Sequence, residues 1–182
     1  GCLDRLAAQH GDYTYEVIVP DNTSADNTVA MLRERYPLVR VVPLLENLGA
    51  VSRNVALGIS RGQVIVQLDD DSYPEPDAVA QALRVLRGPR ARDVGAIALN
   101  IRRVDGSYES AGIASAFTGC GAVFDRDLLF RCGGYPDEYL YYAEEYDVSY
   151  RLAAMGRRVL NFRELEAVHL KSAVARDFNR IM

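Results

Sequence analysis

The segment Val64-Ile-Val-Gln-Leu-Asp-Asp-Asp71 decides the fold class. Its first five residues, Val64–Leu68, form a run of strand length, of the kind that is buried on both faces of a parallel sheet. Three aspartates follow directly. In a doubly wound α/β sheet, ligands bind outside the carboxyl ends of the strands. The sequence therefore places an acidic cluster where a binding site is expected.

Segments of strand and helix character alternate around this strand. The pattern predicts strands over 15–19 and 39–42, because each is a short apolar run. Apolar residues at helical spacing predict helices over 29–36, 51–59 and 79–86. This alternation is typical of right-handed βαβ units. We therefore expect an α/β fold with a mostly parallel central sheet flanked by helices.

The second half of the chain is less regular. Strands are predicted over 94–101 and 122–124, and the spacing of Val148, Leu152 and Met155 predicts a helix closed by Gly156. No internal repeat, low-complexity tract or linker interrupts the 182 residues. This length fits one domain with a sizeable core. We interpret residues 1–182 as a single domain.

Composition and charge exclude several classes of function. The net charge of −4 gives no electrostatic reason to expect nucleic acid as a partner. No apolar run approaches the roughly 20 residues that a membrane helix requires. The three cysteines are odd in number and lack CxxC spacing, which favours a reducing, cytoplasmic compartment over a disulfide framework or zinc site. No secretory signal is visible, although the chain begins at Gly1 rather than at methionine.

Two acidic or amide-bearing segments follow predicted strands. Asp69, Asp70 and Asp71 repel one another, and a hard divalent cation relieves that repulsion through oxygen ligation. The alternative is a solvated acidic turn, and the motif alone favours neither interpretation. Asp21 and Asn22 lie at the same predicted sheet edge, where a plain turn with an N-cap is the alternative.

Two helix starts carry further candidate residues. Asn47 and Arg53 flank a glycine turn at the start of a helix, where backbone N–H groups favour phosphate and arginine adds a bidentate donor. The alternative is a surface arginine with a capping asparagine.

The start of the helix that carries Val148 has three acidic residues, which is more than the helix dipole requires. They are Glu144, Glu145 and Asp147. A carboxylate crowded by others has its pKa raised, which suits a general base.

His169 follows the apolar pair Ala167-Val168 near the C-terminus. An isolated histidine is more often structural than a metal ligand, so ligation is the second interpretation from this residue alone.

Taken together and in order, these segments resemble family 2 glycosyltransferases of the GT-A fold. The resemblance covers nearly the whole chain, and the order and spacing of the pieces make it specific. The matching pieces are Glu16–Thr28, Asn47–Asn54, Gln67–Asp71 with Pro74–Pro76, Thr118–Gly121, Gly133–Tyr135, Glu144–Asp147 and Val168-His169.

The resemblance implies a Rossmann-like GT-A fold and a set of roles for the donor site. Asp21 and Asn22 would contact the nucleotide base, and Asn47 and Arg53 would line the nucleotide pocket. The aspartates would form the DxD motif. In that motif Asp69 and Asp70 would lie on the nucleotide-sugar side, and Asp71 would bind the metal. The implied cofactor is Mn²⁺ or Mg²⁺.

The resemblance also implies the reacting groups. Glu145 would be the catalytic base, with Glu144 as the alternative, because the family's usual acidic pair is Glu-Asp. Gly119, within Thr118–Gly121, would lie beneath the sugar and the acceptor. His169 would be the additional metal ligand that some members use.

The implied activity is inverting transfer of a hexosyl or deoxyhexosyl group, as in polysaccharide biosynthesis. The donor would be a UDP-, GDP- or dTDP-sugar, and the acceptor a hydroxyl of a glycan, a lipid-linked sugar or another molecule. The protein would be cytoplasmic, with peripheral attachment at the inner membrane face as an alternative. The first rival is a sugar-nucleotide pyrophosphorylase, which would carry a glycine-rich loop with a lysine; Lys171 is the chain's single lysine. The second rival is a non-catalytic nucleotide-binding fragment.

One departure from the family pattern concerns the start of the chain. The family usually begins with an apolar strand that binds the base, whereas this sequence starts in what resembles the following helix, with Cys2, Leu3 and Leu6. We therefore expect a missing internal strand, and with it low stability and no activity until upstream residues are restored.

Overall fold

The computed structural model describes residues 1–109, 115–139 and 143–170. Strands and helices alternate up to residue 67 and follow one another less regularly after it. Two short 3₁₀ turns, Gly49–Val51 and Ala91–Asp93, lie between these elements. The strands are β1 (Val17–Asp21), β2 (Val39–Pro43), β3 (Val64–Gln67), β4 (Ser72–Pro74), β5 (Val94–Arg103), β6 (Ala122–Asp125) and β7 (Arg158–His169). The helices are α1 (Cys2–Ala7), α2 (Thr28–Arg35), α3 (Ser52–Ile59), α4 (Ala78–Leu86), α5 (Arg126–Arg131) and α6 (Glu144–Ala154).

The strands of the described residues form two sheets. β1 and β2 pair in parallel, as the predicted βαβ unit requires. The larger sheet has the order β3-β6-β5-β7-β4 and is mixed. Its β5–β7 pairing is parallel, whereas β3–β6, β6–β5 and β7–β4 are antiparallel. The α/β class is confirmed, and the expectation of a mostly parallel sheet is corrected to a mixed one.

The pairing of β3 explains why the larger sheet is mixed. Its apolar sequence predicts a strand correctly, but Val64, Ile65 and Val66 are half-buried rather than buried, and β3 ends the strand order of the larger sheet among the described residues. Apolar character does not identify the neighbouring strand. β3 pairs with β6, and in the described part of the chain no ladder joins β3 to β1. The expectation of a further internal strand stays a prediction.

The larger sheet is covered on both faces, which explains its apolar character. Along β5, Ala96 and Ala98 lie in one buried cluster, which also contains residues of α5 and α6. The alternate residues Ile97, Leu99 and Ile101 lie in the opposite cluster, which contains residues of α4. This period of two is the pleat of a strand buried on both sides.

None of the helices in residues 1–109, 115–139 and 143–170 is long and apolar enough to cross a lipid bilayer.

Candidate active site

Two hydrogen bonds between Asp69 and Ser72 fix the acidic turn after β3. The Asp69 N–H donates to Ser72 Oγ at 2.9 Å, and the Ser72 N–H donates to the Asp69 carbonyl at 3.1 Å. The turn leads directly into β4, where Ser72 lies opposite His169 of β7. The Leu170 N–H also donates to the Asp71 carbonyl at 2.8 Å. Strand pairing therefore brings the predicted metal ligands together.

Asp71 and His169 form a pair with the chemistry of a divalent metal site. Asp71 Oδ1 lies 3.2 Å from His169 Nε2, and the two side chains are 23% and 13% exposed. Oδ1 is buried and makes no hydrogen bond within the described residues. A buried carboxylate oxygen without a donor is costly, and a cation satisfies it. Carboxylate and imidazole together bind divalent transition-metal ions, so these residues fit the predicted Mn²⁺ better than Mg²⁺, which takes oxygen ligands.

Arg53 joins the acidic turn to the start of α6. Its Nη2 donates to Asp69 Oδ1 at 3.1 Å, and its Nη1 donates to Glu144 Oε1 at 3.0 Å. Its guanidinium also lies over the Tyr135 ring, 5.4 Å from the centroid. The predicted contact between Arg53 and the nucleotide stays a prediction, since these carboxylates already hold both terminal nitrogens.

The two adjacent glutamates of α6 have different surroundings. Glu144 is 3% exposed, and Arg53 holds one of its oxygens. Glu145 is half-buried, and its Oε1 accepts the Gly119 N–H at 3.1 Å. Burial, and then the charge of Glu144, raise the pKa of Glu145. A carboxylate with a raised pKa at a partly open position is suited to proton transfer.

A buried hydrogen-bonded chain supports Gly119 from below. The Tyr135 hydroxyl donates to Gln67 Oε1, and Gln67 Nε2 donates to the Gly119 carbonyl at 2.7 Å. A Cβ at position 119 would lie 2.8 Å from Glu145 Oε1 and 3.0 Å from Arg53 Nη2. A larger residue at this position would therefore displace the ends of the Glu145 and Arg53 side chains from their present places.

The candidate residues Asp21 and Asn22 lie at the end of β1 and in the loop that follows it. Asp21 is buried and accepts the Ser24 N–H at 3.3 Å. The Asn22 side chain donates to the Gly49 carbonyl at 3.0 Å and accepts the Leu48 N–H at 3.1 Å, so it fixes the loop before α3. Their predicted contacts with the nucleotide base stay predictions.

Two candidates occupy exposed turn positions. Asn47 Oδ1 accepts the Gly49 N–H at 2.9 Å and so closes an Asx turn. Asp70 lies exposed in the acidic turn between Asp69 and Asp71. Their roles on the nucleotide-sugar side remain predictions.

Sequence reasoning missed three residues that organise this region, Gln67, Tyr135 and Glu109. Gln67 carried a signal, because it is the polar residue in the apolar run of β3 and is only 7% exposed. Tyr135 was part of a matching segment but was given no role. Glu109 lies 3.2 Å from His169 Nδ1, a contact between distant segments that sequence spacing does not reveal.

The glycosyl transferase family 2 model matches residues 1–155. The chain belongs to this family. A chondroitin synthase of Escherichia coli is 40% identical over 76 residues, which are 40% of this chain and 11% of that protein. The chain therefore spans only a small part of that curated relative.

Solved structures of glycosyltransferases confirm the GT-A fold of this family member. A mannosyltransferase from Pyrobaculum calidifontis, in complex with GDP-Man and Mn²⁺, superposes with a TM-score of 0.75 at 26% identity, over 96% of this chain and 53% of that one. GalNAc-T7 with UDP, GalNAc and Mn²⁺ gives a TM-score of 0.71 at 15% identity, over 85% of this chain and 37% of that one. At this lower identity the likeness concerns the fold alone.

Proposed function

We propose that this domain transfers a sugar from a nucleoside diphosphate to an acceptor hydroxyl, with inversion at the anomeric carbon and with help from a divalent metal. The observation that carries the proposal is the contrast between Glu144 and Glu145. Glu145 has a raised pKa and is partly open, whereas Glu144 is buried and paired with Arg53. One carboxylate is thus free to act on a substrate while its neighbour is held.

The difference between the two glutamates supports inversion. A single displacement needs one base, which takes the acceptor proton while the acceptor oxygen attacks the anomeric carbon. A double displacement would need a second carboxylate presented to the sugar as a nucleophile. Glu144 does not suit that role, because it is 3% exposed and its Oε1 accepts from Arg53. Glu145 is therefore the proposed base, and Gly119 orients its carboxylate through the backbone N–H.

The donor side of the reaction is assigned to the acidic turn. Asp71 and His169 would hold the metal, which would neutralise charge on the departing diphosphate. Asp69, fixed by Arg53 and Ser72, would face the ribose or the metal's water ligands. The complex of the mannosyltransferase with GDP-Man and Mn²⁺ supports a nucleotide-sugar donor and a metal. The transferred sugar type, the acceptor and a cytoplasmic location stay predictions.

We expect binding of UDP, GDP or dTDP to depend on the metal. Asp71 and His169 supply two ligands, so the diphosphate must supply others, and Mn²⁺ should bind weakly without nucleotide. Calorimetry of the three nucleotides with Mn²⁺ and with EDTA measures this dependence. Asp71→Asn should abolish the metal effect, whereas the exposed control Asp12→Asn should not. Equal nucleotide affinity with and without metal would contradict the metal assignment.

A further inference from the structure

The chain folds back on itself directly after β5 and brings Glu109 beside the end of β7. Gly106 adopts a φ of +84° in this turn, which glycine takes readily. The Glu109 N–H then donates to the Ile101 carbonyl at 2.9 Å. Arg103 lies opposite His169 in the β5–β7 ladder. The returning segment therefore delivers Glu109 to the place where these two residues meet.

The carboxylate of Glu109 is held at both oxygens. Arg103 Nε donates to Oε1 at 2.8 Å, and Oε2 lies 3.2 Å from His169 Nδ1. The side chains of Glu109 and His169 are 16% and 13% exposed, so water competes little for this contact. With its backbone and its side chain both fixed, Glu109 is a preorganised acceptor for an imidazole N–H.

The two ring nitrogens of His169 have different partners. Nδ1 is within hydrogen-bonding geometry of Glu109. Nε2 lies 3.2 Å from Asp71 Oδ1, which makes no hydrogen bond in the described part of the chain. A proton on Nδ1 satisfies the Glu109 contact and leaves the Nε2 lone pair on the side of Asp71. A metal-binding histidine commonly donates its other ring N–H to a carboxylate in this way.

We propose that Glu109 is a positioning residue that holds His169 in the Nδ1–H tautomer, with Nε2 available to a divalent cation shared with Asp71. The metal half of this inference, the binding of a cation at Nε2, rests on the proposed function. The tautomer half, the proton on Nδ1, does not. Arg103 in turn fixes Glu109, so the orienting chain runs from Arg103 through Glu109 to His169.

Direct ligation by Glu109 is the competing arrangement. Ligand atoms of Glu109, Cys120 and His169 lie within 4.8 Å of one another. However, Arg103 and His169 already engage both oxygens of Glu109. Cys120 is 3% exposed and lies in the apolar cluster around Ile97, where a thiolate ligand would be poorly solvated. The contacts therefore favour positioning over ligation.

Nitrogen-15 NMR of histidine-labelled, metal-free protein tests the tautomer directly. The chain has two histidines, and exposed His10 serves as the internal reference. At a pH where both rings are neutral, His169 should be predominantly Nδ1–H in the wild type and in Glu109→Gln, whose amide oxygen still accepts. Glu109→Ala should lose this preference while His10 is unchanged. A His169 spectrum that is unaffected by Glu109→Ala would overturn the proposal.

Titration with Mn²⁺ alone, followed by EPR, tests the expected effect on Mn²⁺ affinity. Loss of an outer-shell partner typically weakens metal affinity about 10–100-fold. We expect that loss for Glu109→Ala, recovery to within a few-fold in Glu109→Gln, and no change in the control Glu75→Gln, which removes a carboxylate paired with Arg102. An equal loss in Glu109→Gln and Glu109→Ala would identify direct ligation and overturn positioning.

A further variant separates this inference from the proposed function. His169→Ala should abolish Mn²⁺ binding at this site. If it changes nothing, the metal assignment of the proposed function is wrong and the metal half of the inference falls with it. If it removes the site while Glu109→Ala leaves Mn²⁺ affinity intact, the metal assignment stands and the positioning role is wrong.

Discussion

Replacing Glu145 with glutamine is expected to lower kcat for sugar transfer by about 10²–10⁴-fold, the usual contribution of a general base. The amide is nearly isosteric and can still accept the Gly119 N–H, so nucleotide affinity should stay within a few-fold. The loss should fall on kcat rather than on donor binding, because the missing step is proton acceptance. Initial rates with a panel of UDP-, GDP- and dTDP-sugars, together with calorimetry of the nucleotide, measure both quantities.

The neighbouring glutamate provides the decisive comparison. Glu144→Gln should retain much more activity than Glu145→Gln, because Glu144 is paired with Arg53 and is not presented to substrate. Glu34→Gln, at an exposed position on α2, is the neutral control. If Glu144→Gln is inactive and Glu145→Gln is active, the base assignment moves by one residue. If both are active, the acidic start of α6 serves only the helix.

The pH dependence of kcat/KM should show the raised pKa of Glu145. Burial and the charge of Glu144 favour the protonated form, whereas catalysis requires the ionised form. Activity should therefore fall as the pH decreases through a value above that of an ordinary glutamate, which is about 4.3. A pH–rate profile recorded at constant ionic strength checks this. An acidic limb at or below the ordinary value would contradict a desolvated base.

The parts of this fold that depend on local pattern were predictable from sequence. The helices over 29–36, 51–59 and 79–86 were predicted to within about two residues of α2, α3 and α4, because their apolar spacing is a local property. The β1–β2 pairing followed from one short βαβ unit. The neighbours of β3 and β7 were not predictable, since ladder formation depends on residues far apart in the chain.

The same division applies to the candidate site. Asp71 and Glu145 lie in segments whose residue types and order carry the family resemblance. The residues that hold these side chains in place carry no such resemblance. Their contacts, Gln67 with Gly119 and Glu109 with His169, span 52 and 60 residues of the sequence. Such contacts exist only once the sheet has formed, and the side chains involved are individually ordinary. Sequence therefore pointed to the candidate reacting groups more readily than to the residues that hold them in place.

Replacing Arg53 with alanine is expected to lower the free energy of unfolding by about 3–5 kcal/mol, the usual cost of leaving one partner of a buried ion pair uncompensated. The reason is Glu144, whose side chain is 4% exposed and whose Oε2 makes no hydrogen bond within the described residues. For a chain of this length, about 2–4 °C of Tm per kcal/mol predicts a fall of about 6–20 °C. Arg92→Ala, which removes an exposed arginine beside Asp93, should change Tm little.

A double substitution tests whether the uncompensated charge of Glu144 causes the loss of stability in Arg53→Ala. Glu144→Gln removes that charge, so adding it to Arg53→Ala should recover part of the lost stability, although one buried carboxamide remains. Thermal and urea unfolding of both single variants and the double variant complete the cycle. If the second substitution destabilises Arg53→Ala further, the loss comes instead from the contacts of Arg53 with Tyr135 and Asp69. Recovery would show that Arg53 offsets the charge of buried Glu144, and this pairing leaves Glu145 as the proposed base.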